Sequence, residues 1–136
     1  MNHHDATWDS SLSVGDDHID HQHQEIFEVT HMLDVAINVD HSRESIGKIV
    51  DYLEHYVGTH FPEEEALMKV CPQKQIDYHK REHEILTMYV HNIANHFNNT
   101  QSTTHTIFLI RQFTDRLIQH IQSVDTLLTP YLKGKK

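Results

Sequence analysis

Residues 59–68, THFPEEEALM, place a histidine, a proline and three consecutive glutamates inside a stretch that otherwise reads as helix. An α-helix turns about 100° per residue, so three consecutive side chains cannot share a face. Glu64 lies four residues beyond His60, about 40° around the helix and one turn along. Upstream, Ile46, Ile49, Leu53 and Val57 fall on the same stripe, and Leu67 or Met68 continues it. The His60–Glu64 pair therefore points with the apolar residues, into a core. Glu63 and Glu65 point elsewhere and read as solvated charges. Pro62 has no N–H to donate to the carbonyl of Gly58, which predicts a kink near Gly58 to Pro62.

The rest of the chain follows the same spacing. Four glycines and three prolines in 136 residues leave room for long helices. The periodicity predicts four, over about 19–39, 42–70, 76–97 and 103–131, with Ser42 as an N-cap, Pro72 as a breaker and NNTQSTT as a polar connector. There is no internal repeat and no second domain. The first stripe reads Ile19, His23, Ile26, Thr30, Leu33, Ile37. The third reads Ile76, His79, His83, Leu86, Val90, Ile93, Phe97. The fourth reads Ile110, Phe113, Leu117, then His120 or Ile121, Val124, Leu128, Tyr131. The chain has 15 histidines, and this register sorts them. His23, His60, His79, His83 and His120 lie in core register with Glu64. His18, His21, His55, His91 and His96 lie off it. His3, His4, His41 and His105 are terminal or near connectors, and His31 fits neither group.

An unpaired polar group in a core costs about 1–3 kcal/mol. Half a dozen would consume most of the roughly 5–15 kcal/mol that keeps a small domain folded. A buried hydrogen-bond network accounts for one such histidine. Five histidines on four helices are explained more simply by bound metal, because coordination satisfies each ligand. The single cysteine, Cys71, rules out an intrachain disulfide, an iron–sulfur cluster and a cysteine-rich zinc site. Imidazole with carboxylate suits iron, zinc, copper or nickel. Five imidazoles and a glutamate exceed the needs of one ion, so two ions bridged by carboxylates are implied. HKREH, His79 to His83, matches the H-x-x-E-H zinc-protease pattern but leaves His23, His60, Glu64 and His120 without a role. The ferritin-like pattern needs two E-x-x-H elements, and only EVTH, Glu28 to His31, is present.

Twenty acidic against 11 basic residues give a net charge of −9, which argues against nucleic-acid and anionic-membrane partners. The basic residues Lys133, Lys135 and Lys136 read as a solvated end. No apolar run approaches membrane-spanning length. MNHHDATWDSS has no apolar signal-peptide region, so a cytoplasmic setting is expected.

Four elements in order, DHQH (20–23), HFPEEEALM (60–68), HKREH (79–83) and HIQSVD (120–125), resemble the single-domain bacterial hemerythrins. So does the early W…SVGDDHID, through Trp8, Val14, Gly15 and Asp20. The resemblance covers nearly the whole chain. It implies an all-α fold, an antiparallel up-down four-helix bundle with an extended N-terminal arm over 1–17, in one domain over 1–136. It also implies a non-heme di-iron site, Fe2+ or Fe3+ with an oxo or hydroxo bridge, that binds O2 reversibly as carrier, store or sensor rather than as an enzyme. His79, His83 and His120 would hold one iron. His23 and His60 would hold the other, with an open position, and Glu64 and Asp125 would bridge the two. Phe61, Leu117 and Ile121 would line the O2 pocket, and an O2-consuming protein is a possible partner. The alternatives are an enzyme that reduces peroxide, O2 or nitric oxide, and an iron or zinc store. His120 and Asp125 are five residues apart, about 140° around an ideal helix, so an irregularity is predicted between them. Arg116, one turn before His120, stands where many family members carry an aromatic residue, which predicts a wetter pocket on that side.

Overall fold

Few helix breakers give long helices. The computed structural model describes residues 8–38, 42–100 and 102–132. His3, His4, His41 and the three terminal lysines lie outside these, as does the side chain of Ile37. Four long helices dominate: α1 (Asp17–Asn38), α2 (Arg43–Leu67), α3 (Gln73–Asn99) and α4 (Thr103–Ser123). A short α5 (Thr129–Leu132) follows. Three 3-10 turns, Ser10–Leu12, Met68–Val70 and Asp125–Leu128, complete the described residues, which contain no strand. Helix α2 packs on α1 and α3, α3 on α4, and α4 on α1, closing an all-α bundle. No described helix is long and apolar enough to cross a membrane.

Local chemistry sets the helix ends. Gly15 takes a φ of 93°, which a side chain would resist, and turns the chain into α1. Asp16 Oδ1 then accepts from the N–H of Ile19 at 3.0 Å. Asp20 reaches back to accept from Val14 N–H at 2.9 Å and Ser13 Oγ at 2.5 Å. This accounts physically for the SVGDDHID stretch. Trp8 and Leu12 pack against the main core. Ser42 caps α2 by accepting from Ser45 N–H at 3.1 Å. Arg43 donates to the carbonyls of Phe97 and Thr100 at the end of α3 and lies 4.1 Å over the Phe97 ring. A Cβ at Gly47 would sit 3.0 Å from that ring, so the close approach there favours glycine. Helix α2 stays helical on both sides of Pro62. A Cβ at Gly58 would meet open space, which leaves room for the adjustment that the missing N–H requires.

The apolar residues form two clusters. The larger includes Ile26, Leu33, Ile46, Leu53, Phe61, Leu86, Phe113, Leu117 and Ile121. The smaller contains Val14, Ile19, Met68, Cys71, Leu128 and Leu132. Helices α1, α2 and α3 run between the two clusters, α4 reaches the smaller one only through the turn that follows it, and the core histidines fall between. Ile19, His23 and Ile26 show this on α1, and Ile76, His79, His83 and Leu86 on α3. The polar layer thus has apolar packing on both sides along the bundle.

Tyr56, buried in the larger cluster, is the exception to that packing. Its hydroxyl has no hydrogen-bond partner. Burial first, then the nearby carboxylates, raises its pKa well above 10. A desolvated, unpartnered hydroxyl costs about 1–3 kcal/mol. Tyr56→Phe is therefore expected to raise the stability of the metal-free protein by about 1 kcal/mol in a denaturant titration. A loss of similar size would show that the hydroxyl is bonded.

Candidate metal centre

The core register brings polar side chains from all four long helices into one layer. His23 comes from α1, His60 and Glu64 from α2, His79 and His83 from α3, and His120 from α4. None is more than 3 % exposed. Asp125 joins them at 1 % exposure. Helix α4 ends at Ser123, and Asp125 opens the following 3-10 turn. The predicted irregularity is thus a helix termination, which removes the 140° mismatch with His120. Of the remaining histidines, His18, His21, His31, His55, His91 and His105 are exposed and His96 is half-buried.

The five imidazoles turn their Nε2 atoms toward the two carboxylates. His79 Nε2 is 2.8 Å from Asp125 Oδ1 and 3.2 Å from Glu64 Oε1. His83 Nε2 is 3.0 Å from Glu64 Oε1, and His120 Nε2 is 2.8 Å from Asp125 Oδ1. His23 Nε2 is 3.0 Å from Asp125 Oδ2 and 3.1 Å from His60 Nε2. His60 Nε2 stands 3.9 Å from Glu64 Oε1. The layer divides into two groups, each with its ligand atoms within 4.8 Å of one another. One is Glu64, His79, His83, His120 and Asp125. The other is His23, His60, Glu64 and Asp125. The two carboxylates belong to both.

These residues fit bound cations. Several inward atoms lie at contact distance yet lack hydrogen-bond alignment: both oxygens of Glu64, Nε2 of His83 and His120, and Oδ2 of Asp125. His83 is the clearest case. Its Nδ1 lies 2.8 Å from Glu65 Oε2, and a carboxylate only accepts, so Nδ1 carries the proton. The lone pair of a neutral His83 then faces Glu64 Oε1 across 3.0 Å. A cation between these two lone pairs would satisfy both.

Burial lowers the pKa of His23 and His79, but Asp125 and Glu64 outweigh it and lift them to about 10 and about 9. Burial dominates at His60 and brings it to about 4. Burial raises both Glu64 and Asp125, and the Asp125 charge also raises Glu64, but the surrounding imidazoles hold both well below the usual carboxylate range. In metal-free protein at pH 7.5, His23 and His79 are therefore protonated, while His60 and both carboxylates are not. A cation entering the layer displaces the first two protons. Loading at pH 7.5 is expected to release about two protons per chain, falling toward zero as pH passes 9 to 10. Calorimetry in buffers of different ionisation enthalpy measures this. No release at pH 7.5 would show that these imidazoles are already neutral.

The chain's residues 14–132 match the model of the hemerythrin HHE cation-binding domain. The chain belongs to the hemerythrin family. A bacteriohemerythrin of Methylococcus capsulatus is 33% identical over 118 residues, 85% of this chain and 86% of that one. One from Stenotrophomonas maltophilia is 36% identical over 78 residues, 57% of this chain and 50% of the relative. One from Campylobacter jejuni is 24% identical over 125 residues, 91% of this chain and 92% of the relative. No solved structure matches significantly.

Two sequence expectations for this hemerythrin's surroundings need correction. Arg116 does not wet the layer: it is exposed, and its guanidinium lies 5.5 Å over the Tyr89 ring. Glu63 is exposed, as expected, and Glu65 is half-buried, but both are bonded to other side chains. Glu65 holds His83, and Glu63 Oε1 is 2.8 Å from Gln22 Nε2 and from His18 Nε2. Gln22 and Tyr56 were not singled out from the sequence. Gln22 Oε1 contacts His60 Nδ1 at 2.5 Å, and the Tyr56 ring stacks on His60 with centroids 4.7 Å apart. Tyr56 is one turn before His60, which was the available signal. Gln22 has none beyond its place beside His23.

Proposed function

We propose that this hemerythrin holds two iron ions and binds O2 reversibly. His79, His83 and His120 take one ion, His23 and His60 the other, and Glu64 and Asp125 bridge. The observation that carries this reading is the unequal division of five imidazoles over two groups that share two carboxylates. Two ferrous ions supply, between them, the two electrons that reversible O2 binding draws on. The two-histidine group has fewer protein donors, and that ion would keep a position for a small ligand. His60 is neutral at physiological pH, so its Nε2 is available without releasing a proton.

The surrounding residues favour binding over turnover. Phe61, Leu117 and Ile121 are each no more than 3 % exposed and keep water from the layer. Reduction of peroxide, O2 or nitric oxide consumes protons. The buried hydroxyl against His60 belongs to Tyr56, a poor acid there. The test is the visible absorption spectrum of anaerobic, ferrous-loaded protein before O2, after O2 and after its removal. A band that appears and then vanishes supports carriage, storage or sensing. A change that cannot be undone points to consumption of the iron in a redox step and supports the enzyme reading. More than two ions per chain would favour storage.

A further inference from the structure

Resting on that reading, we propose that the outer members of the glutamate triplet, Glu63 and Glu65, are positioning residues that fix the tautomers of His60 and His83, and that they leave the two ions held with unequal strength. The 100° step of the helix sends the three carboxylates three ways. Glu64 faces the layer, Glu65 leans toward α3 and Glu63 toward α1.

Glu65 acts directly. Its Oε2 lies 2.8 Å from His83 Nδ1 and can only accept, which reserves Nε2 as the donor atom. Glu63 acts at one remove. Its Oε1 accepts from Gln22 Nε2 at 2.8 Å, which sets the orientation of the amide. The amide oxygen, 2.5 Å from His60 Nδ1, can then only accept from it. His18 donates to the same Glu63 oxygen at 2.8 Å and steadies it from the surface. His60 and His83 are thus committed to presenting Nε2 before any metal arrives.

The backing differs in charge. A carboxylate supports His83, and a second one, Glu82, stands 3.6 Å from His120 Nδ1. A neutral amide supports His60. A charged acceptor makes an imidazole a stronger donor. His79 Nδ1 and His120 Nδ1 make no hydrogen bond, so the difference rests on His83. The three-histidine group therefore has more imidazoles and the one backed by a charged acceptor, and it fills first.

The test titrates full-length protein anaerobically with ferrous iron against a competing chelator. It is paired with nitrogen-15 spectra of the histidine rings and melting curves of metal-free protein. Wild type is expected to bind two ions in two steps. Glu65→Ala should weaken the tighter step about 10–100-fold and leave the weaker within about threefold. Gln22→Met should do the reverse, and Glu63→Ala should follow Gln22→Met with a smaller effect. Glu65→Gln still accepts from Nδ1, so it should keep the His83 tautomer while losing part of the tighter affinity. Metal-free melting temperatures should stay close to wild type.

Variants that leave both steps unchanged would overturn the proposal. So would variants that lower both steps together with the melting temperature, since Glu65 would then be merely structural. Wild type binding fewer than two ions would overturn the di-iron reading and, with it, the claim of unequal strength. The ring spectra of metal-free protein then decide the positioning claim alone. Nδ1–H on His60 and His83, lost in Gln22→Met and Glu65→Ala respectively, supports it, and any other tautomer overturns it.

Discussion

Glu64→Ala is expected to abolish stoichiometric binding of both ions, because Glu64 belongs to both ligand groups. Affinity should fall at least about 100-fold at each, beyond the 10–100-fold typical of outer partners. The metal-free protein suffers as well. His23 and His79 owe their raised pKa partly to Glu64, so its removal strips a partner from two buried imidazolium ions. Breaking a buried pair from one side costs about 3–5 kcal/mol. Iron per chain after anaerobic loading and desalting, together with the metal-free melting temperature, measures both effects. One tightly retained iron per chain would refute the shared role. His55→Ala and His91→Ala are the controls: both residues are exposed and should leave loading and melting unchanged. His60→Ala and His83→Ala should impair loading.

Phe61→Ala carries the second large effect. Phe61 is 3 % exposed and lies face to face with His83, centroids 4.0 Å apart and planes within 2°. It also meets the rings of Tyr56 and His60. Truncating a buried phenylalanine costs about 3–5 kcal/mol. The site is worse placed than most to collapse, because Phe61 and His83 line an open groove of about 440 Å3 together with Val57, Pro62, Glu65 and Met88. Without the ring, that groove extends along His83 toward the polar layer. Denaturant unfolding of metal-free protein should show the full loss. The O2-dependent band of loaded protein should decay faster than in wild type. A loss under 1 kcal/mol would mean that neighbouring side chains close over the gap.

The all-α bundle was legible because apolar residues recur at helical spacing with few breakers. The convergence of His23, His60, Glu64, His79, His83 and His120 was legible for the same reason, since a polar residue in a core stripe has nowhere to face but inward. Asp125 was not, by register alone. Its position depends on α4 ending at Ser123, and only the resemblance pointed to it. Gln22, Glu63 and Glu65 escaped because periodicity assigns a face, not a reach. Each sits at the edge of its stripe, where a long side chain crosses to the next helix. Arg116 was misjudged for a related reason: it lies about 40° from His120, near the edge of the stripe, where a long side chain can swing out to the solvent, and a neighbouring tyrosine ring was there to receive it.

The division of the layer into two shared carboxylates and five private imidazoles has a consequence for descent. A change at Glu64 or Asp125 strikes both ligand groups at once. A change at His23 or His60 touches only one group and leaves all five residues of the other group in place. A descendant that keeps a single metal is therefore reached most easily through the α1 side, with both acids retained. Gradual tuning between relatives is open mainly to side chains outside the layer, where single substitutions shift one ion's environment by small steps.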